Sequence, residues 1–169
     1  MQRPAHSSAW FALLVMAGAA SAGEPLQAQS ATVIGQLNSL LSEGSVALAA
    51  GRYEEGVRLT LAGLAQPNNP RDAASGHSNV CAGHAALKHW QAALEHCNRA
   101  LELDPGNWHT YNNRAAVFTG LRQFELAVAD VHKGLALAPY SDTLRKSLEV
   151  VNQHREAASR ERWRRPDKA

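Results

Sequence analysis

The chain has 169 residues, with 17 Lys and Arg against 15 Asp and Glu and a formal net charge of +2. This length is sufficient for one domain with its own apolar core, and the nearly balanced charge provides no basic surface of the kind that binds nucleic acid. The sequence has no glycine-rich phosphate loop, no Gly-x-Ser-x-Gly and no His-Glu-x-x-His. We therefore expect neither an enzyme nor a cofactor.

The start of the chain has the pattern of a signal peptide over residues 1–22. Arg3 precedes an apolar run from Ala9 to Ala20, and Ala20-Ser21-Ala22 fits the small-x-small site cut by signal peptidase. The run of about 12 residues is shorter than the roughly 20 that a membrane span requires. We expect cleavage after Ala22, a flexible segment over residues 23–31, and export to a bacterial periplasm, with secretion as the alternative. A buried N-terminal helix or an uncleaved anchor is the other interpretation.

Apolar residues then recur at three- and four-residue steps, which predicts amphipathic helices. The breaks between them are marked by Gly51-Arg52-Tyr53, by Gln66-Pro67-Asn68-Asn69-Pro70 and by Asp104-Pro105-Gly106-Asn107. No alternation typical of strands is sustained. Helical spacing begins near Val33 and resumes with Val57 after the first break. The later predicted helices run from Arg71 to about Leu87, Trp90 to Leu103, Trp108 to Leu121, Phe124 to Leu137, and onward from Asp142.

Two stretches of the chain repeat at a fixed step. Trp90 recurs as Phe124 and Pro105 as Pro139, each about 34 residues later, the period of a helix-turn-helix solenoid. The short connections within each pair of helices make the two helices antiparallel. Such a pair cannot bury its apolar face alone, so consecutive pairs must stack, and the stack forms a concave surface.

The amino-acid sequences of two segments resemble those of a known family. Leu-Glu-Leu-Asp-Pro-Gly-Asn at 101–107 and Tyr-Asn-Asn-Arg-Ala at 111–115 are similar to tetratricopeptide repeat (TPR) proteins. The resemblance implies an all-α, right-handed α-solenoid of about three hairpins and a C-terminal capping helix. In the first repeat, Gly56 and Gly63 stand where Ala is usual. We expect them to weaken it, because Gly in a helix interior costs nearly 1 kcal/mol relative to Ala. The implied boundaries are a TPR domain over 32–140, repeats near 37–70, 74–107 and 108–141, a capping helix over 141–163, and a disordered basic tail over 164–169.

The two cysteines lie in the two helices of one predicted hairpin. Cys81 and Cys97 are each about eight residues from a turn near Lys88, so they face each other in an antiparallel pair. In an oxidising compartment this arrangement predicts a disulfide. Two alternatives stay open: buried free thiols, or a zinc site in which His77 and His84 join both cysteines.

In the family that the chain resembles, ligands lie along the first helix of each repeat. That resemblance implies an exposed, polar and nearly uncharged line here, whose Asn side chains could pair with the backbone of an extended peptide. Some family members clamp a C-terminal carboxylate with Lys and Arg; Asn79 and Asn113 fit part of that pattern, but the basic residues are missing. The line comprises Asn38, Leu41, Ser45, Ser75, Ser78, Asn79, Ala82, His109, Asn112, Asn113 and Ala116.

We therefore expect a non-enzymatic scaffold or adaptor that binds a protein or an extended peptide, with no metal ion. One alternative is a structural accessory subunit that docks by its convex face or by the basic tail Arg160–Lys168, which contains Trp163. The other is a metal-binding or redox protein that uses Cys81, Cys97 and the nearby histidines.

Overall fold

A computed structural model of the protein describes residues 38–164. The predicted signal peptide, the segment 23–31, the start of the first repeat and the tail from residue 165 lie outside this range. The described range contains seven helices and no strand, which confirms the predicted all-α fold. The helices are α1 (Ser39–Ala49), α2 (Tyr53–Leu64), α3 (Pro70–Ala86), α4 (Trp90–Leu103), α5 (Trp108–Gly120), α6 (Phe124–Leu137) and α7 (Asp142–Arg164).

The helices form three stacked hairpins followed by one long helix. α1 packs on α2, α3 on α4 and α5 on α6, and each second helix also contacts the first helix of the next hairpin. The first helices contact one another in turn: α1 touches α3, α3 touches α5, and α5 touches α7. This last set of contacts places α1, α3 and α5 side by side along one face of the stack.

Each hairpin turn contains one residue in the left-handed conformation, at Gly51 (φ 76°), Lys88 (φ 60°) and Arg122 (φ 61°). At each turn two backbone N–H groups bond back to the end of the preceding helix; His89 N–H donates to the carbonyl of His84 at 2.9 Å. Only Gly takes this conformation without steric cost. The second and third hairpins therefore carry a backbone strain that the first avoids.

The breaker segments also supply the helix starts. Asn69 accepts a hydrogen bond from the N–H of Asp72 at 2.9 Å, and Pro70 occupies the first turn of α3. Asn107 accepts from the N–H groups of His109 and Thr110 at 3.1 and 3.4 Å. A side-chain cap of this type stabilises a helix by about 1 kcal/mol. The third helix thus begins one residue before the predicted Arg71.

Close approach of α1 and α2 explains the glycines of the first hairpin. A Cβ atom at Gly56 would lie 2.9 Å from the backbone nitrogen of Leu48, and one at Gly63 would lie 3.0 Å from that of Leu41. Thr60 is fully buried in the same contact and donates a hydrogen bond to the carbonyl of Gly56 at 2.7 Å. The expectation that these glycines only weaken the repeat is therefore incomplete, because Ala would force the helices apart.

α7 covers the open side of the third hairpin with its first half. Leu144, Ser147 and Val151 are buried, and Leu144 packs against Gly134 of α6. The cap of this helix is Ser141, whose Oγ accepts from the N–H of Leu144 at 3.3 Å. From residue 153 to residue 164 the side chains are exposed except for the half-buried Ala158. The second half of α7 therefore presents most of its surface to solvent.

Candidate functional site

The predicted groove residues lie on α1, α3 and α5, the helices that share one face of the stack. Ser75 is exposed, whereas Ser78 and Asn112 are buried. The expectation that the whole line is exposed is therefore wrong for Ser78 and Asn112, and also for Ala82 and Ala116, which are 7% and 6% exposed. The remaining members are half-buried: Asn38, Leu41, Ser45, Asn79, His109 and Asn113.

The buried polar residues join neighbouring first helices. Thr110 Oγ1 of α5 donates to Ser78 Oγ of α3 at 2.9 Å, and Asn113 Nδ2 lies 3.4 Å from the same oxygen. Ser147 Oγ of α7 donates to Asn112 Oδ1 at 2.7 Å. Small polar side chains can be buried at a helix interface when they satisfy each other in this way. Ser78 and Asn112 therefore hold the stack together from within.

Asn38 and Leu41 contribute to packing at the other end of the line. Asn38 Nδ2 donates to the carbonyl of Gly63 at 2.7 Å and to Asn68 Oδ1 at 2.9 Å. The side chain of Leu41 lies against Gly63 of α2 and Gly76 of α3. Both residues thus connect α1 to its neighbours.

Four side chains remain as a partly exposed row on α3 and α5: Ser75, Asn79, His109 and Asn113. Ser75 and His109 are one repeat apart in sequence, and so are Asn79 and Asn113, so the row consists of two equivalent pairs on adjacent helices. The ring of His109 stacks on Trp108 at 3.6 Å between centroids, and burial lowers the pKa of His109. The row is therefore uncharged at neutral pH.

Arg114, the basic residue of α5, is already held in an ion pair. Arg114 Nε and Nη2 donate to the two oxygens of Asp130 at 2.7 and 2.9 Å, and its Nη1 donates to Asn98 Oδ1 at 2.7 Å. The Asp130 side chain is 4% exposed. A bidentate, buried pair of this kind fixes the guanidinium. Arg114 is consequently committed to the contact between α5 and α6.

Cys81 and Cys97 lie at disulfide-bonding distance, with their Cα atoms 5.2 Å apart, as the sequence predicts. Both side chains are fully buried between α3 and α4. Their bond to each other removes both thiols from the alternative zinc site with His77 and His84. Within residues 38–164 no group of three or more His, Cys, Asp or Glu side chains is placed to hold a metal ion.

Histidines nevertheless cluster beside this bond. His77 Nδ1 on α3 lies 2.9 Å from His96 Nδ1 on α4, and the ring of His84 lies 6.0 Å from that of His96. Burial is the main cause that lowers the pKa of all three rings. His96 is not among the predicted site residues. The available signal was its position next to Cys97, which pairs across the hairpin with the helix that carries His77.

The stacked hairpins define an all-α fold of the TPR type. Residues 74–107, which cover most of α3 and all of α4, match the family described as tetratricopeptide repeat. The chain matches none of the curated proteins. No helix within residues 38–164 is both long enough and apolar enough to span a membrane.

Solved structures with this fold include peptide-binding domains. The first TPR domain of human RPAP3 is 27% identical with a TM-score of 0.62, and the match covers 72% of this chain and 92% of that one. The first TPR of Spaghetti (RPAP3), bound to the HSP90 peptide SRMEEVD, is 26% identical with a TM-score of 0.60 and coverages of 68% and 89%. The second TPR domain of human RPAP3, in complex with the HSP70 peptide SGPTIEEVD, is 20% identical with a TM-score of 0.60 and coverages of 68% and 92%. The repeat match and these structural neighbours support a fold of the TPR type for this chain.

Proposed function

We propose that this chain is an exported, non-enzymatic scaffold that binds an extended, uncharged segment of a protein partner across α3 and α5. The observation that carries the proposal is the row of Ser75, Asn79, His109 and Asn113. Asn amides donate and accept hydrogen bonds at once, so two of them one repeat apart can pair with a peptide backbone. Hydrogen bonds to the backbone give affinity without requiring one particular sequence.

The proposed ligand differs in charge from the peptides that two of the structural neighbours bind. Two of those neighbours hold peptides that end in Glu-Glu-Val-Asp. Such a peptide needs cations in the groove to offset the desolvation of its carboxylates. The row on α3 and α5 contains no Lys or Arg, and Arg114 is held by Asp130. A neutral segment fits this surface better than an acidic terminus.

Two observations support export. Residues 1–22 have the pattern of a signal peptide, and Cys81 lies at bonding distance from Cys97. Disulfides form and persist in oxidising compartments such as the bacterial periplasm. The periplasm is therefore the proposed location.

The test is cross-linked capture from an envelope extract of the native host, followed by mass spectrometry. The double variant Asn79→Ala/Asn113→Ala removes both amides of the row; because Asn113 Nδ2 also lies 3.4 Å from Ser78 Oγ, circular dichroism must show that the variant keeps its helical fold. Gln91→Ala is the matched control, because Gln91 is exposed on α4, a second helix of a hairpin. We expect the control to retain the partner captured by the wild type and the double variant to lose it. Equal capture by all three proteins would contradict the proposal.

A structural accessory role is the second candidate, and the exposed end of α7 favours it. Trp163 is 85% exposed, although large aromatic side chains are usually at least partly buried. Tryptophan is also enriched at the energetic centres of protein interfaces. Under this alternative, Trp163→Ala abolishes capture and Asn79→Ala/Asn113→Ala does not.

A further inference from the structure

The contact between His77 and His96 is the basis of the inference. Their Nδ1 atoms are 2.9 Å apart and their ring centroids 5.1 Å apart. A hydrogen bond between these two atoms requires one ring to carry the Nδ1 proton and the other to lack it. At least one bare imidazole nitrogen therefore faces its neighbour across the hairpin.

His84 extends this pair into a row. It lies two helical turns after His77 on α3, with its ring 6.0 Å from that of His96 and 5.6 Å from that of His89. The Nδ1 atom of His84 is buried and has no hydrogen-bond partner. Rotation of this ring therefore breaks no hydrogen bond at Nδ1.

The backbone beneath the rings is fixed. Cys97 follows His96 directly, Cys81 lies one turn after His77, and the bond between the cysteines ties the two helices together. Cys81, Cys97 and the adjacent Val80 are fully buried. The relative position of His77 and His96 is thus preorganised by covalent and packing contacts.

Burial and neighbouring charges lower the pKa of both rings. Burial is the main cause that lowers the pKa of His77, and the charge of Arg99 adds to it. Burial and then the charge of His77 lower the pKa of His96, whereas the charge of Glu95 raises it.

We propose that His77 and His96 bind one Cu²⁺ ion, with the ring of His84 turning toward it as a third ligand. Two nitrogens at about 2.0 Å from a metal and at right angles to each other are separated by about 2.9 Å. The two Nδ1 atoms are this far apart in their hydrogen bond, and both rings turn on binding so that their lone pairs point to one ion. Tetragonal nitrogen sites favour Cu²⁺, which also leads the affinity order of the divalent first-row metals.

Binding of the ion releases no proton from the two rings. The ring that carries the Nδ1 proton in the pair moves it to Nε2, so both Nδ1 atoms can ligate and both rings stay neutral. The histidines alone do not form a finished three-ligand site, since no such group is in place within the described residues. The rotation of His84 completes the set.

The test uses tag-free protein with its cysteines oxidised, titrated with Cu²⁺ in the presence of glycine as competitor. We expect one Cu²⁺ per chain by calorimetry and nitrogen couplings from the imidazoles in the electron paramagnetic resonance spectrum. His77→Ala and His96→Ala each weaken binding at least about tenfold, and His84→Ala removes one nitrogen coupling. His132→Ala and His154→Ala are matched controls, because both histidines are exposed on other helices.

Three results would contradict the proposed Cu²⁺ site. The first is a wild-type spectrum without imidazole nitrogen couplings, which needs no variant and so does not depend on how the variants fold. The second is wild-type affinity in His96→Ala. The third is binding that appears only after reduction, which would assign the metal to the thiols of Cys81 and Cys97.

Discussion

The substitution Gly56→Ala tests which effect dominates stability at this position: the close contact between α1 and α2, or the helix propensity of residue 56. A Cβ atom at Gly56 would lie 2.7 Å from Cδ2 of Leu48 and 2.9 Å from its backbone nitrogen. The Leu48 side chain can rotate, but the backbone nitrogen can move only with α1 itself. The substitution must therefore push α1 away from α2.

The two opposing effects can be compared. Ala is favoured over Gly in a helix interior by nearly 1 kcal/mol. Adding a carbon to a well-packed interior costs about 1–3 kcal/mol, and contact with backbone places this site toward the upper end. We expect Gly56→Ala to lower the free energy of unfolding by about 1–2 kcal/mol.

Urea unfolding followed by circular dichroism measures this change. Ala62→Gly is the matched control, because Ala62 is exposed on the same helix and its substitution changes helix propensity alone. We expect Ala62→Gly, in the last turn of α2, to cost at most about 1 kcal/mol. If Gly56→Ala instead stabilises the protein by a similar amount, helix propensity dominates and the close contact between α1 and α2 is refuted.

Three further predictions concern the second hairpin. Reduction of the bond between Cys81 and Cys97, which are 16 residues apart, should lower the free energy of unfolding by about 3 kcal/mol; an unchanged urea midpoint under reductant would count against the bond. Burial lowers the pKa values of His77 and His96, so the unfolded chain takes up protons first as the pH falls through about 6.5. Stability should accordingly be level above pH 7 and decline below pH 6.5, and His77→Gln/His96→Gln should reduce the decline in thermal unfolding; an unaltered decline would exclude these rings as its source. Lys88→Gly should raise the free energy of unfolding by about 0.5–1 kcal/mol, because it relieves the left-handed φ of 60°; a less stable variant in urea would contradict the strain.

Helix boundaries could be predicted from sequence because local chemistry sets them. Pro70 and Pro105 lack the N–H that an interior helix position requires, and Asn69 and Asn107 cap the helices that follow. The step of about 34 residues then implies stacking without any knowledge of distances. The proline and asparagine signals act over a few residues and do not depend on tertiary structure.

The role of individual side chains depends on distances that the sequence does not contain. Gly56 is unfavourable in an isolated helix, yet it is required where the backbone of α1 lies 2.9 Å from its missing Cβ. Ser78 and Asn112 are polar and were expected at the surface, but Thr110 and Ser147 satisfy them in the interior. Polarity alone could not predict which partner a neighbouring helix supplies.

The most direct test of the uncharged binding row is a selection of displayed peptides on the wild-type chain, with Asn79→Ala/Asn113→Ala as the counter-selection. We expect extended peptides that bind the wild type, are not enriched in Asp, Glu or a free carboxyl terminus, and are lost with the double variant. Recovery of acidic C-terminal peptides, or of the same peptides on both proteins, would contradict an uncharged binding row on α3 and α5.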